Sequence, residues 1–354
     1  MTEPRRLASL DALRGCTVAA MLLVNDPGDW GHVYWPLDHA AWNGCTPTDL
    51  VFPFFLYVVG VSVALSILPR LQHGAARSVL ERAVWWRALR IFGLGLAINL
   101  LAALLMPGAH MRIPGVLQRI AICYAAVALL AIHTRPRQQW AAIVLLLLGY
   151  SGLLWLGGSM QPWTNIVSRT DSAVFGRFVW TISASGRGHD PEGLLSTLPA
   201  IAGCLLGLRA GCALQRQQLT SLLLAGLLAL LLSLLWSHWL PFNKNLWTPS
   251  YVLWTTGLAT LALLGFHWLI DVRGWPALGR RFGMNAIAAY AGSELMQILL
   301  PRLGQASWYR TLFTGWLTPR FGPFVPSLAW AVTFVVCWWL IVWTMDRRRI
   351  YLKL

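Results

Sequence analysis

The chain has 354 residues, of which 57% are hydrophobic and only 12% are charged, and its 28 Lys and Arg against 13 Asp and Glu give a net charge of +15. Soluble domains usually carry about 25% charged residues. Because the apolar residues here also come in runs of roughly 20, the composition excludes a water-soluble globule, a disordered chain and a disulfide-stapled secreted module. It predicts an all-α, polytopic membrane helical bundle.

We predict about ten transmembrane helices in this bundle. The predicted spans are 8–25, 48–69, 87–106, 113–133, 140–157, 194–214, 219–240, 249–270, 283–301 and 324–345. Arg5 and Arg6 precede the first span as in a secretory signal peptide, but no small-residue cleavage site follows, and we interpret this span as a retained helix. Residues 1–354 are expected to form a single integral membrane domain without a separate soluble domain.

The distribution of Lys and Arg predicts how the bundle is oriented. With the N-terminus in the cytoplasm, the inner segments hold 18 of these residues, the outer segments hold 8, and Arg14 and Arg119 lie within spans. Because basic residues are enriched on the cytoplasmic side, both termini are expected there. The segments 26–47, 158–193 and 241–248 are then expected outside.

The basic charge does not indicate nucleic-acid binding, because these residues lie between the spans and form no single patch with interleaved aromatic residues. No stretch shows the alternating pattern of an outer-membrane barrel. The six cysteines include no CxxC pair, so they predict neither a metal site nor a disulfide framework. The expected surroundings are a lipid bilayer.

The first outer segment is rich in groups that can do chemistry at a membrane surface. A neutral histidine can act as a base near pH 7. We favour that role for His39 and interfacial anchoring for His32. The polar and aromatic residues near His39 in the sequence are Asp38, Trp42, Asn43 and, at the start of the next helix, Asp49.

Two arginine motifs are candidate anion sites. Asp11 and Arg14 are three residues apart on one helix face, and they form either a structural salt bridge or a phosphate contact. Arg112 and Arg119 are seven residues apart and are expected on similar faces of a helix start, where the helix N-terminus favours anions. Capping and snorkelling explain Arg112 well but Arg119 poorly, because Arg119 lies deeper.

Other polar residues lie at helix ends or inside the short ninth span. Asp190 and Glu192 precede the sixth span, where the helix dipole alone favours carboxylates. The turn 241–248 either holds a sugar or only caps two helices, and its candidate ligands are Asn243, Asn245 and Trp247. Asn285 and Glu294 lie within the ninth span and should face the bundle interior or a water-filled cavity.

Several blocks together resemble the heparan-alpha-glucosaminide N-acetyltransferase family, in the family's order and near its spacing. They are HAAWNG at 39–44 with DLVFPFF at 49–55, RIPGVLQR at 112–119, DPEG at 190–193, NKNLW at 243–247 and GMNA at 283–286. The lysosomal members pass an acetyl group from cytosolic acetyl-CoA to a glucosamine amine across the membrane. The resemblance therefore implies a membrane acyltransferase, and it implies ten spans where those members have eleven, since no counterpart of their leading helix is seen.

The resemblance also implies the site residues. The family's catalytic His matches His39 and its catalytic-site Asn matches Asn25, so His39 would take the amine proton and Asn25 would stabilise the oxyanion. A covalent acetyl-His39 intermediate is the rival mechanism. The residues expected to bind acetyl-CoA or the acceptor are Arg14, Trp42, Asn43, Asp49, Arg112, Gln118, Arg119, Asn243, Asn245, Trp247 and Asn285.

The implied partners are acetyl-CoA as co-substrate, an amino-sugar acceptor and the bacterial inner membrane, with a monomer and a homodimer both open. Two other classes remain open. An amino-sugar transporter would show an inverted repeat of spans, and a membrane O-acyltransferase would act on a sugar hydroxyl. A purely structural subunit is disfavoured, because buried Arg119, Asn285 and Glu294 would be costly without use.

Overall fold

The computed structural model describes residues 7–106 and 108–352, and over these residues it has fourteen α-helices and one two-stranded hairpin. The helices are α1 Ala8–Asn25, α2 Val51–Gln72, α3 Arg77–Leu105, α4 Val116–His133, α5 Pro136–Leu156, α6 Ile166–Phe175, α7 Thr197–Gln215, α8 Leu219–Ser237, α9 Pro249–Phe266, α10 Arg280–Met284, α11 Ala286–Leu299, α12 Gln305–Tyr309, α13 Gly315–Phe321 and α14 Phe324–Arg347. The strands β1 Thr181–Ile182 and β2 Gly188–His189 pair antiparallel. The prediction of an all-α bundle is confirmed.

Nine helical segments of the described residues are long and apolar enough to cross a bilayer. They correspond to nine of the ten predicted spans, with α2 extended to begin at Thr48 and α9 extended to end at Val272. The protein is therefore a multi-pass membrane protein. The third helix begins at Arg77, ten residues before the predicted start at residue 87.

The predicted span 283–301 is interrupted. Asn285 lies between α10 and α11, and its φ of −118° with ψ of 34° is not helical. The 14 residues of α11 rise about 21 Å, which is less than the roughly 30 Å of a hydrocarbon core. This segment is therefore not among the nine.

Close contact between α2 and α7 forms the centre of the bundle. A Cβ atom on Gly60 of α2 would lie 1.9 Å from the carbonyl oxygen of Cys204, and one on Gly207 of α7 would lie 2.1 Å from that of Tyr57. Only glycine allows the two backbones to approach this closely. The contact holds the start of α2 beside the start of α7, and residues next to both helix starts belong to the site described below.

The segment 158–193, which we expected as a long outer connection, is ordered around α6 and the hairpin. It packs against the connection between α3 and α4, since the Ile113 amide donates to the carbonyl oxygen of Phe178 at 3.0 Å. It also packs against the first loop, where the Trp42 indole donates to the carbonyl oxygen of Met160 at 3.0 Å. These loops, together with residues 238–248, form one end of the bundle, which we call the His39 end.

The opposite end, which we call the Arg14 end, joins α1 to α10. Arg14 pairs with Asp11 and donates from Nε to the carbonyl oxygen of Gly283 at 2.7 Å. A Cβ atom on Gly283 would lie 1.8 Å from the carbonyl oxygen of Asp11. Eleven residues separate Arg14 from Asn25, which corresponds to about 17 Å along the axis of α1.

Candidate active site

His39 and Asp49 form a hydrogen-bonded pair at the His39 end. His39 Nδ1 lies 2.7 Å from Asp49 Oδ1. The His39 side chain is 40% exposed, whereas that of Asp49 is 1% exposed. A buried carboxylate that holds one ring nitrogen fixes the tautomer and the orientation of an imidazole. Because an ionised carboxylate can only accept, we assign the His39 proton to Nδ1, beside Asp49, and its lone pair to Nε2.

The chain holds Asp49 in place with donors from its own loop. Asp49 Oδ2 accepts from the amides of Thr46 at 3.0 Å and Ala40 at 3.1 Å, and from the Thr46 hydroxyl at 3.1 Å. Asp49 lies in the single turn Thr48–Leu50 that leads into α2, and the Tyr251 hydroxyl of α9 donates to its carbonyl oxygen. The HAAWNG block and the start of α2 are thereby one rigid unit.

Lys244 completes this group, and we did not select it from the sequence. Its Nζ lies 3.1 Å from each ring nitrogen of His39 and 3.9 Å from Asp49 Oδ1. Burial lowers the pKa of the Lys244 amine, and the nearby charges of Asp49 and Glu192 oppose that shift. The composition offers a signal that points to Lys244: the chain has 26 Arg but only two Lys, Lys244 and Lys353.

Two of the expected binding residues hold two loops together. The Asn243 amide donates from Nδ2 to Asn43 Oδ1 at 3.0 Å, and Asn243 Oδ1 accepts from the amide of Leu246 at 2.8 Å. Asn243 is fully buried. These bonds position the turn that carries Lys244 over the loop that carries His39. Asn245 is half-buried beside Lys244.

Trp247 and Arg119 lie beneath this turn. Trp247 is 2% exposed and Arg119 is 1% exposed, and the guanidinium carbon lies 4.8 Å from the centre of the Trp247 ring. Arg119 Nη2 donates to the carbonyl oxygen of Gly193 at 3.3 Å and to the Ser196 hydroxyl. In the part of the chain that the structure describes, Arg119 Nε and Nη1 have no hydrogen-bond partner.

Arg112 binds the two carboxylates of the DPEG block. Arg112 Nε lies 2.8 Å from Asp190 Oδ2, Nη2 lies 2.6 Å from Asp190 Oδ1, and Nη2 also contacts Glu192. Burial alone would lower the pKa of the Arg112 guanidinium, but the charges of Asp190 and Glu192 outweigh burial and raise it. Burial also opposes ionisation of Glu192, while Arg112, Arg119 and Lys244 hold the pKa of its carboxyl below the usual range. Arg112 precedes α4, so Arg112 and Arg119 do not share a helix face as we expected.

A cavity of about 400 Å³ lies between α3, α4 and α11. Its polar lining residues include Asn99, Arg112, Gln118, Tyr290, Glu294 and Gln297. Gln118 is 3% exposed, and its Nε2 has no hydrogen-bond partner among the described residues. The cavity therefore presents polar groups that a polar ligand can satisfy.

Asn25 lies at the end of α1, next to Asp26. Asp26 is 7% exposed, and burial raises the pKa of its carboxyl to about 8, with Gln297 and Glu294 of α11 as its polar neighbours. The end of α1 thus borders the cavity wall. Within residues 7–106 and 108–352, no hydrogen bond joins the Asn25 side chain to His39.

The remaining two candidates lie elsewhere. Arg14 and Asn285 are at the Arg14 end, where Asn285 Oδ1 accepts from the amide of Leu352 at 3.4 Å. Arg119 belongs to the His39 end, because it contacts the turn that carries Lys244. Arg14 and Arg119 therefore do not meet in one phosphate site.

The fold and this site define a multi-pass helical membrane protein with a polar His–Asp–Lys group at one end of the bundle. The family model described as "Heparan-alpha-glucosaminide N-acetyltransferase, catalytic" matches residues 6–217, which is more than half of the chain. The chain belongs to the heparan-alpha-glucosaminide N-acetyltransferase family, and the resemblance found in the sequence blocks is confirmed.

Two curated relatives match most of the chain. Human heparan-alpha-glucosaminide N-acetyltransferase is 29% identical over 361 residues, covering 84% of this chain and 54% of the human protein. The mouse protein of the same name is 28% identical over 363 residues, covering 85% of this chain and 55% of the mouse protein. The chain thus spans about half the length of the curated relatives it matches.

Proposed function

We propose that the protein is a transmembrane N-acetyltransferase that moves an acetyl group from cytoplasmic acetyl-CoA to the amine of a glucosamine-type sugar at the opposite face. Membership of the family supports the reaction class. The observation that carries the proposal is the His39–Asp49 pair, in which an exposed imidazole is oriented by a carboxylate that is 1% exposed. Such a pair is built to move a proton at Nε2.

The transfer needs one base that works twice. The neutral acceptor amine attacks the thioester carbonyl carbon, a C–N bond forms, and His39 Nε2 takes the proton that the amine loses. The C–S bond then breaks, and His39 returns the proton to the thiolate of CoA. Asp49 stabilises the imidazolium throughout, because its Oδ1 stays within hydrogen-bond distance of Nδ1.

We assign the oxyanion to the region between the cavity and His39. Asn25 at the end of α1 would donate to the thioester oxygen, and its place beside the cavity wall supports this role. The unpartnered guanidinium hydrogens of Arg119 and the unpartnered amide of Gln118 also support a polar ligand at this end. The other residues proposed to line or support the substrate sites at the His39 end are Trp42, Asn43, Asp49, Arg112, Asn243, Asn245 and Trp247.

We propose that the nucleotide of acetyl-CoA binds at the Arg14 end, with Arg14 and Asn285 among its contacts. The two ends are separated by most of the length of α1. A long, thin pantetheine arm can extend from one end to the other through a helical bundle. This division supports entry of acetyl-CoA from one face and of the sugar from the other.

We further propose that the protein lies in a bacterial inner membrane with both termini in the cytoplasm. The 5 residues of α10 and the 14 residues of α11 rise about 28 Å in total, close to the thickness of a hydrocarbon core, and we assign the tenth crossing to the two together. An even number of crossings puts both termini on one side. The excess of basic residues in the segments assigned to the inside supports this orientation.

The test is an acetyl-transfer assay with purified protein, labelled acetyl-CoA and glucosamine. His39→Ala should lower kcat by about 10²–10⁴-fold, the contribution of a general base. His32→Ala is the matched control, because His32 Nδ1 also lies 2.7 Å from a carboxylate, that of Asp29, and His32 is also 40% exposed. His32→Ala should keep the wild-type rate.

Two outcomes would contradict the proposal. Wild-type protein that binds amino sugar but forms no N-acetyl product would favour a transporter. Near-normal turnover in His39→Ala would remove His39 from the chemistry.

A further inference from the structure

We propose that Lys244 is a catalytic residue whose ammonium donates a hydrogen bond to the thioester oxygen as negative charge develops there. This inference rests on the acetyl transfer proposed above. It adds a charged donor to the oxyanion site, next to the amide of Asn25.

Lys244 lies over the face of the His39 ring. Nζ is 3.1 Å from both Nδ1 and Nε2, and an atom equally close to both ring nitrogens cannot lie in the ring plane without overlapping the carbon between them. Nδ1 donates its proton to Asp49, and the lone pair on Nε2 lies in the ring plane. The ammonium therefore lies beside the base and leaves the Nε2 lone pair accessible to an acceptor amine.

Lys244 is not needed to neutralise Asp49. Both oxygens of Asp49 already accept hydrogen bonds, from His39, Ala40 and Thr46, and Nζ is 3.9 Å from the nearer oxygen. Among the described residues, His39 is the only residue with a possible acceptor atom within 3.5 Å of Nζ. At least two of the three N–H groups of the ammonium are therefore available beside the base.

Lys244 is also not needed to hold its own turn. The bond from Asn243 to Asn43 and the bond from the Leu246 amide to Asn243 close the turn without it. The Lys244 side chain is 19% exposed, so a charge is kept largely out of water next to the proton-transfer atom. Charged donors act strongly on a developing oxyanion in such surroundings.

The events follow from these positions. The acceptor amine donates to the in-plane lone pair of His39 Nε2, and Nζ moves from the ring face to the thioester oxygen, which lies one bond from the carbon under attack. The amine proton passes to Nε2, the C–N bond forms, and the C–S bond breaks with return of the proton to the CoA sulfur. Lys244 keeps all its protons and only donates a hydrogen bond. A flexible four-carbon stem with a compact charge suits this movement better than a planar guanidinium.

The experiment compares Lys244→Met with the wild type in the acetyl-transfer assay. Loss of one oxyanion donor should lower kcat by about 10²–10³-fold, and kcat/KM should fall equally, because the interaction forms only in the transition state. Arg187→Met is the control, since it also removes one positive charge from the His39 end of the bundle, but at an exposed position in the segment 158–193. It should keep the wild-type rate.

A second measurement separates catalysis from positioning. Methylammonium added to Lys244→Ala should restore formation of N-acetylglucosamine, because it supplies the missing donor, and the sugar product is quantified so that acetylated methylamine is not counted. If Lys244→Met does not fold, Lys244→Gln removes the positive charge while keeping a polar side chain, and the charged donor is again lost.

Three outcomes are distinguishable. An active wild type with a slow Lys244→Met variant and amine rescue supports the proposal. An active wild type with near-normal Lys244→Met, or a slow variant that amines do not rescue, overturns it. A wild type that forms no N-acetyl sugar overturns the proposed function itself.

Discussion

At the scale of single residues, two histidines in the same loop each lie 2.7 Å from a carboxylate, but their surroundings differ. Asp29, the partner of His32, is 44% exposed, whereas Asp49, the partner of His39, is 1% exposed. An exposed pair is screened by water and contributes little. A buried carboxylate with fixed donors keeps its position during a reaction, so the His39 pair is the one suited to catalysis.

Asn25→Ala tests the second residue that the family resemblance assigns. We expect kcat to fall by about 10²–10³-fold, because one oxyanion donor is lost, while the protein stays folded, since Asn25 is half-buried at a helix end. The measurement is the transfer rate at saturating acetyl-CoA, together with the thermal midpoint. An unchanged rate would show that the thioester oxygen does not reach the end of α1.

The sequence predicted part of this site and missed another part, for physical reasons. His39 and Asp49 stand out because an apolar chain offers few reasons to keep a histidine and a carboxylate between two spans. Lys244 did not stand out, since a cation in a short loop is also typical of an interfacial anchor. Only the fold reveals that two loops 205 residues apart bring Nζ to His39.

At the scale of elements, the segment from α6 to the start of α7 carries the buried carboxyls of Asp171 and Asp190. Arg112 reaches into this segment from the connection between α3 and α4, and it is held by Asp190. Sequence patterns explained the DPEG carboxylates by the dipole of the following helix. The structure shows that they instead neutralise an arginine from a distant connection, which periodicity within one helix cannot reveal.

Two groups in this segment should make stability depend on pH in opposite directions. Burial raises the pKa of the Asp171 carboxyl from 3.8 to about 7. Between these values Asp171 is protonated in the folded protein and ionised in the unfolded chain, so the free energy of unfolding falls as pH rises from 3.8 to 7. Burial lowers the pKa of the His189 imidazole from 6.5 to about 4. The contribution of His189 to the free energy of unfolding is therefore lost as pH falls from 6.5 to 4.

Asp171→Asn separates these two contributions. The variant keeps an oxygen that can accept from the Leu194 amide but cannot ionise, so of these two groups only His189 still makes stability depend on pH. The thermal midpoint of the variant minus that of the wild type should increase as pH rises from about 4 to 7. Midpoints measured in one detergent across this range check it. A difference that stays constant with pH would show that Asp171 ionises normally in the folded protein.

The interrupted span illustrates what periodicity can and cannot predict. The sequence marked 283–301 as short and polar, and the structure breaks the helix at Asn285. The break was not predicted, because Asn is tolerated within helices. It depends on contacts from distant parts of the chain, including the close approach of Gly283 to Asp11 of α1.

At the scale of the whole molecule, the candidate site residues fall into two groups at opposite ends of the bundle. The Arg14 end has Arg14 and Asn285, and the His39 end has His39, the cavity and Lys244. Composition predicted the bundle, since runs of apolar residues with few charges must cross or line a bilayer. It could not predict which loops meet, because side chains in loops have no periodicity.

The most direct measurement is sided acetyl transfer in sealed proteoliposomes. Acetyl-CoA is trapped inside, a membrane-impermeant glucosamine conjugate is supplied only outside, and His39→Ala vesicles serve as the control. The account predicts N-acetylated conjugate outside with the wild type and almost none with His39→Ala. Product that forms only when both substrates share one compartment, or an equal yield from His39→Ala, would contradict it.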